Sequence, residues 1–518
     1  MLWKLHKRTM TAIVRLQIFF ASVHLLSISE AVTDTATGYE RERVVCPEQT
    51  LVWGPGLNAD FNVPARFFFI QAVDFNGQNF TESPGVNAYT VKISPKDRRG
   101  RIWMQMLDRH DGSFIVRYRM FDSYDNMQIE IKSGNRQVAG SPYALEGSVY
   151  DEKCFCPNDD VDAWLESMQC RKEVHPQIEK DLIHFPNINL KNLAEQVVSR
   201  YAAHHSLSHY TIINNRIYRK THGLHTGFKM FSDAFLLSLT RKVSLPDMEF
   251  FINLGDWPLV KKASRESLLP IFSWCGSNDT YDIVLPTYDV TESTLETMGR
   301  VSLDLLSVQA NTQPKWEEKI SKGFWRGRDS RRERLELVKL ARNHTDLMDA
   351  ALTNFFFFEH KEELYGPKQK HVSFFDFFKY KYQVNIDGTV AAYRLPYLLG
   401  GNSVVLKHDS VYYEHFYQEL QPWVHYIPFN QNLSDLLEKI QWAQEHDKEA
   451  EQIAQNGQLY VKNNLLSNQI YCYYYQALTE YSKKFTSKPR IHDDMEEVLQ
   501  PEDSKCKCHR NLSGRDEL

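Results

Sequence analysis

Residues Tyr382 to Ser410 read YQVNIDGTVAAYRLPYLLGGNSVVLKHDS. An apolar, β-branched run meets a turn at Gly388. A helix follows that carries the small residues Ala391 and Ala392 and stops at Gly400-Gly401, and a second β-branched run closes the unit. Strand, helix, strand in under thirty residues is a βαβ unit, which requires a parallel sheet. Small side chains in the first helical turn let a ligand approach the backbone, and Arg394 is expected to project from the same turn.

Working outward, the same alternation continues on both sides. YTIINNRIY, MEFFINL, IFSWC and GFWRG are strand candidates, and FSDAFLLSLTRKV, RRERLELVKLAR and LSDLLEKIQWAQEH are helix candidates. Alternation of this kind predicts α/β layering around parallel sheets. The roughly 300 residues of this region suffice for two such sheets with a cleft between them.

Two stretches could arm that cleft. In PDMEFFINLGDWPLV, Pro246 to Val260, a doubly buried strand runs into Gly255, Asp256 and Trp257. Asp256 is therefore either a turn residue or a carboxylate at the strand end, where open α/β sheets bind ligands. In GFWRGRDSRRERLELVKLA, Gly323 to Ala341, a strand ends near Trp325, and Ser330 with Glu333 makes a capping box that opens a helix. Arg326, Arg328, Arg331, Arg332 and Arg334 crowd that helix start, where the dipole opposes cations. Several guanidinium groups beside free N–H groups make a diphosphate site.

Residues 45–150 have a different texture. Short Ile-, Val-, Phe- and Tyr-rich runs are separated by Asn76-Gly77, Asp111-Gly112 and Gly134-Asn135, which predicts an all-β sandwich. GPGL at Gly54 to Leu57, DGSFIVRY at Asp111 to Tyr118 and AGSPYAL at Ala139 to Leu145 resemble the filamin-type immunoglobulin repeat, an interaction or positioning module. Residues 151–190 are a Cys-bearing connector. The α/β region is expected over 191–485, its first lobe reaching about residue 310, its second about 470, with a final helix packing back.

With 61 Lys+Arg against 66 Asp+Glu the net charge is −5, so no nucleic-acid surface is implied. Lys4 to Arg8 followed by TAIVRLQIFFASVHLLSIS reads as a signal peptide over residues 1–31, with an uncleaved anchor as its rival, and no second span is expected. Residues 486–518 read as a flexible tail ending in RDEL, Arg515 to Leu518, one residue from the KDEL retention signal. Sequons at Asn79, Asn278, Asn343, Asn432 and Asn511 fit an endoplasmic reticulum lumenal glycoprotein. In that oxidising compartment the eight cysteines are expected to form disulfides; CFC and CKC are too tight for a zinc clip.

Other chemistry finds less support. Asp160-Val161-Asp162 reads as a helix N-cap cluster rather than a metal motif. His204, His205, His209, His222 and His225 lack a carboxylate or Cys completing ligand spacing on one helix face, so no metal site is expected. The runs FFFF (Phe355 to Phe358) and FFDFF (Phe374 to Phe378) read as core. Neither a G-x-S-x-G, a P-loop nor an H-E-x-x-H occurs, which removes hydrolase and kinase readings.

NNRIYR, LPDMEFFINLGDWP, FWRGRDSRRER, YKYQVNIDGTVAAYR and QPWVHYIPFNQNLSDL, in order over roughly residues 200–480, resemble the Rumi-type protein O-glucosyltransferases, a branch of the capsule-associated glycosyltransferases. With the filamin-like repeat and RDEL, the chain is similar to the KDEL-motif-containing members. The resemblance implies a GT-B fold of two Rossmann-like lobes, UDP-glucose as donor, serine in folded EGF-like repeats as acceptor, inversion, and no cofactor or required metal. It carries the catalytic base to Asp256 in NLGDWP and donor binding to Arg326, Gly327, Arg328 and Arg334, with Thr389, Val390, Ala391, Ala392, Tyr393 and Arg394 forming the diphosphate loop. Arg328 stands where the family has a serine. Leu224, His225, Thr226, Gly227 and Phe228 fall in the acceptor-facing loop, which lacks the founding member's cysteine pair. Implied partners are EGF-like repeat proteins, a UDP-sugar and the KDEL receptor; the alternatives are UDP-xylose as donor, or a noncatalytic lumenal lectin or folding factor. A bond from Cys472 to the Cys154/Cys156 pair would tie the final helix to the connector.

Overall fold

The computed structural model describes residues 43–509 except 97, 265 and 266. The expected signal peptide, Asn511 and the RDEL sequence lie outside the described residues.

Eight strands form the N-terminal sandwich: β1 (Leu51–Trp53), β2 (Arg66–Gln71), β3 (Thr90–Pro95), β4 (Ile102–Asp108), β5 (Ser113–Met120), β6 (Tyr124–Ser133), β7 (Arg136–Gln137) and β8 (Tyr143–Val149). One sheet has the order β1-β2-β5-β4; in the other, β6 pairs with β3, β7 and β8. Phe68, Ile70, Phe114, Val116, Ile129 and Ile131 fill the space between them. Gly112, at φ +84°, makes the turn into β5; a Cβ there would sit 2.1 Å from the Phe80 carbonyl oxygen.

β5 does not alternate, because it is buried on both faces. Its outer face, with Phe67 of β2 and Ile115, belongs to the hydrophobic core of the following domain. At that junction Arg117 is forked onto Asp304 at 2.9 and 3.0 Å and also donates to Ser307 Oγ. The sandwich is thus packed against the α/β region through a desolvated face.

In the first α/β lobe, β9 (Leu207–Ile213), β10 (Arg216–His222), β11 (Met248–Asn253), β12 (Phe272–Ser273) and β14 (Ile283–Val284) form a sheet, and β13 (Gly276–Ser277) lies apart from it. The sheet order is β14-β12-β11-β9-β10-β21, with β21 (Glu496–Glu497) contributed by the C-terminal segment. Only β11, β12 and β14 run parallel; β9, β10 and β21 are antiparallel. This corrects the expectation of a parallel sheet. YTIINNRIY is a hairpin, turned by Asn214 and Asn215 at φ +50° and +62°.

The second lobe holds β15 (Ile320–Arg328), β16 (Met348–Asn354), β17 (Tyr380–Asn385), β18 (Val404–His408) and β20 (Ile427–Phe429), all parallel in the order β16-β15-β17-β18-β20. β19 (Tyr412–Tyr413) leaves this lobe to pair with β13 of the first. The helix Ser467–Ser482 returns to the first lobe, where Tyr471 and Tyr474 pack on Phe235.

The cysteine expectations need correction. Cys472 bonds to Cys170, whereas the CFC pair bonds to the CKC pair, Cys154–Cys506 and Cys156–Cys508; Cys46 and Cys275 are buried thiols. The segment after Phe485 is consequently no free tether up to His509. Ser487 Oγ accepts from Leu190 N, β21 pairs with β10, Arg219 forms an ion pair with Glu496, and both CKC cysteines are fastened to the connector. Among the described residues no helix is long and apolar enough to cross a membrane.

Candidate active site

The second-lobe sheet dictates where a ligand sits. From β15 the chain crosses to β16 on one side, then returns to β17 on the other side of β15. The strand order therefore reverses between β15 and β17, and a crevice opens beyond their carboxyl ends. A cleft of about 670 Å³ occupies that position. Its walls include Arg326, Gly327 and Arg328 from the end of β15, Arg334 from the next helix, and Thr389, Val390, Ala391, Ala392, Tyr393 and Arg394 after β17. Asp256, just past the end of β11, faces the same cleft from the first lobe.

Each predicted residue is held for a local reason. Asn253, fully buried, accepts from Gly255 N through its Oδ1 at 3.0 Å and donates to the Trp257 carbonyl at 2.7 Å and to Ser273 Oγ at 3.1 Å. That side chain shapes the Gly-Asp-Trp bend and aims Asp256 off the strand. Downstream, the Asp282 carboxylate accepts from Leu259 N and Val260 N, each at 2.8 Å, and fixes the exit of the bend. Burial raises the Asp256 carboxyl above the usual carboxylate range, while the Arg328 guanidinium pulls it back.

Arg334, 4% exposed, donates from Nε to the Asp387 carbonyl, from Nη1 to the Arg328 carbonyl and Ser330 Oγ, and from Nη2 to the Ile386 carbonyl. It therefore links the chain leaving β15 to the chain leaving β17. A Cβ on Gly388 would lie 3.2 Å from its Nη2. Burial, then repulsion from Arg394, lowers its pKa to about 9, and burial lowers Arg394 to about 10. A buried guanidinium whose charge is discouraged by a second, half-buried one forms a site short of one anion. Arg326 is otherwise engaged: it donates to the Asp349 carboxylate at 2.7 Å.

Two readings of this wall change. Arg331, not Ser330, occupies the N-cap of the helix Arg332–Asn343, with no side-chain cap, because Ser330 Oγ is taken by Arg334. The helix after β17 starts only at Leu395, so residues 389–394 form an irregular loop and Arg394 is the N-cap. Pro396 in the first turn accounts for the late start. Asp160 does cap its helix, accepting from Ala163 N at 3.0 Å.

Composition-based reasoning missed much of the lining. Tyr288 and Asp289 stand at the start of the helix Tyr288–Leu295; burial, reinforced by Glu292, raises Asp289 to about 6 against the pull of Arg394. Phe374, Phe375 and Phe377 line the cleft, so FFDFF is only partly core. In FFFF, Phe356 and Phe357 are 65% and 61% exposed, because the buried Asp329 carboxylate accepts from the N–H groups of Phe356, Phe357 and Phe358 and holds the run as a loop. Phe356 faces the cleft. Aromatic rings and guanidinium groups share these walls, Arg328 lying 6.0 Å from the centre of the Phe356 ring, a mix that suits a ligand with a flat ring and an anionic group.

The loop at 224–228 lies outside the lining; only Phe228 reaches it, edge-on to Tyr288 at 5.0 Å. Leu224 is 77% exposed, His225 adopts φ +60°, and Thr226 and Gly227 form a short 3-10 turn with Phe228. Asn79, Asn278, Asn343 and Asn432 are exposed. Three ligand-type groups the sequence reading left apart, His209, Glu249 and His492, come together from two strands and the C-terminal segment rather than from one helix.

Comparison with known proteins agrees with this geometry. A model of glycosyl transferase family 90 matches residues 166–516, and one of the Filamin/ABP280 repeat matches residues 44–144. The chain is 60% identical over 473 residues to protein O-glucosyltransferase 2 of Danio rerio, covering 91% of this chain and 94% of that one. It is 52% identical to human protein O-glucosyltransferase 3, over 92% of this chain and 96% of that one. Human protein O-glucosyltransferase 1 matches at 33% over 60% of this chain and 79% of its own length.

Proposed function

The chain belongs to glycosyl transferase family 90 and is a glycosyltransferase, and from that premise we propose that it transfers glucose from UDP-glucose to a serine hydroxyl of folded EGF-like repeats. The reaction inverts the anomeric centre and needs no metal. The observation that carries this reading is the single cleft with Asp256 on one wall and Arg328, Arg334 and Arg394 on the other.

The acceptor serine enters beside Asp256, whose carboxylate takes the hydroxyl proton as the oxygen attacks the anomeric carbon. That carbon's bond to the diphosphate breaks, and UDP departs with the negative charge. Arg334 and Arg394 meet that charge, with the N–H groups of the loop 389–394 beside them. A positioned base contributes about two to four orders of magnitude in rate. Burial raises the Asp256 pKa and with it the basicity of the carboxylate, while Arg328 favours the ionised form that accepts the proton.

We place the reaction in the endoplasmic reticulum lumen. Three disulfides and four exposed sequons suit an oxidising, glycosylating compartment, with RDEL as the element a KDEL receptor would read. Incubating the full chain with a folded EGF-like repeat and either UDP-glucose or UDP-xylose, followed by mass spectrometry, tests the assignment. A single hexose on serine is the expected product. A pentose would move the donor to UDP-xylose, and no transfer from either donor would overturn the reading.

A further inference from the structure

Away from the cleft, three side chains converge at the far end of the strand that leads to Asp256. Glu249 is the second residue of β11, whereas Asp256 lies past its last. β11 runs antiparallel to β9 with Phe251 opposite His209 and Glu249 opposite Thr211, which makes Glu249 and His209 diagonal neighbours on one face. The C-terminal segment crosses that face, held by Thr211 Oγ1 donating to the Arg490 carbonyl and by β21 on β10, and supplies His492.

Nε2 of His209 and Nε2 of His492 lie 2.9 and 3.0 Å from the same oxygen, Glu249 Oε1. The three ligand atoms all lie within 4.8 Å of one another. Exposure of the side chains is 3% for His209, 1% for Glu249 and 18% for His492. As a hydrogen-bond network the cluster is incomplete: Glu249 Oε2 is buried without a partner among the described residues, and so is Nε2 of the adjacent His222, whose ring centroid is 6.4 Å from that of His209. A buried, half-satisfied carboxylate is costly, and a cation removes the cost.

We propose that His209, Glu249 and His492 bind a divalent cation, and that the ion fastens the C-terminal segment to the first-lobe sheet. Two imidazoles and a carboxylate are a ligand set that suits Zn²⁺ best among the common divalent ions. Bonds of about 2.0–2.1 Å in a tetrahedron set ligand atoms about 3.4 Å apart, so each imidazole must back away from Glu249 Oε1 by about half an ångström and the two imidazole nitrogens must close by up to about 1.4 Å. None of the three residues lines the cleft, so the ion is structural and takes no part in transfer.

The test uses the untagged full chain with its disulfides intact, loaded with Zn²⁺, desalted and analysed for bound metal by mass spectrometry. Wild type should hold about one equivalent, and His492→Asn, which alters the most exposed ligand, at least about fivefold less. A Co²⁺-loaded sample should show visible tetrahedral absorption that His492→Asn lacks. Chelation should lower the melting temperature of the wild type and leave that of the variant unchanged. Glu249→Gln, which keeps side-chain shape, should behave like His492→Asn. Wild type retaining no more metal than the variants overturns the proposal, whether because neither binds or because both bind elsewhere.

Discussion

Asp256→Asn removes the proposed base while keeping its shape. The bend that presents residue 256 is built by Asn253 and Asp282 through main-chain groups of Gly255, Trp257, Leu259 and Val260, so the substitution leaves its supports in place. An amide cannot take the serine proton, and the rate should fall by about 10² to 10⁴. At about 1.36 kcal/mol per decade this is a loss of about 2.7–5.4 kcal/mol of transition-state stabilisation. Donor affinity should move the other way or hardly at all, because the carboxylate that partly offsets Arg328 is gone while Arg334 and Arg394 remain. Initial rates of glucose transfer to a folded EGF-like repeat, paired with calorimetric titration of UDP, separate the two effects. The expected result is a kcat at least about a hundredfold lower with UDP affinity within about threefold of wild type. Retention of more than about a tenth of kcat/KM would falsify the role of Asp256 as base.

Arg328→Ala tests the electrostatics of the same carboxylate. Arg328 favours the ionised form of Asp256, so its loss raises the pKa further; because the base works ionised, the acidic limb of the pH–rate profile should move to higher pH. An unmoved limb contradicts that coupling, whatever happens to donor affinity. Arg117→Ala strands Asp304 at the junction of sandwich and first lobe, where the two side chains are only 7% and 4% exposed. Removing one partner of a buried pair costs about 3–5 kcal/mol, and scanning calorimetry should show the melting temperature falling by about 3–5 °C. A fall under about 1 °C would mean the pair contributes little beyond packing.

In the second lobe β17 and β18 were legible because they are buried on both faces, whereas β16, whose burial alternates, is not among the strand candidates of the sequence. The first lobe was harder: its hairpin lay hidden in YTIINNRIY, which reads as one strand until Asn214 and Asn215 turn it, and its edge strand β21 depends on pairing across some 280 residues, which local pattern does not carry. All the donor-side residues named from sequence do meet in one cleft, since they sit at the ends of adjacent strands. The remaining lining was obscured for reasons of chemistry. Phenylalanine runs look alike whether packed or displayed, and only the buried Asp329 decides that Phe356 is displayed. Asp289 opens a helix, where an acidic residue is unremarkable until burial is known. Disulfide pairing was illegible for the same reason as β21, because partners 302 and 352 residues apart leave no local trace.

The sandwich is joined to the α/β region at a consequential place. Ser302 and Leu303 line the cleft, and Asp304 follows them directly. Asp304 caps the helix Leu305–Ala310 by accepting from Ser307 N at 2.9 Å, and the same carboxylate receives both bonds from Arg117. One side chain thus fixes a helix start, anchors the sandwich and ends the segment that walls the cleft. Tyr397, also in the lining, donates to the Asp289 carbonyl and to Ser293 Oγ, so the helix after β17 is tied to the helix that carries Tyr288 and Asp289. A β-sandwich placed as a mere appendage would not need a desolvated guanidinium at its root, because a buried ion pair is a poor source of stability and a good source of fixed geometry. By tying Asp304 to the sandwich, Arg117 fixes the end of the segment whose Ser302 and Leu303 wall the cleft, across from the arginines.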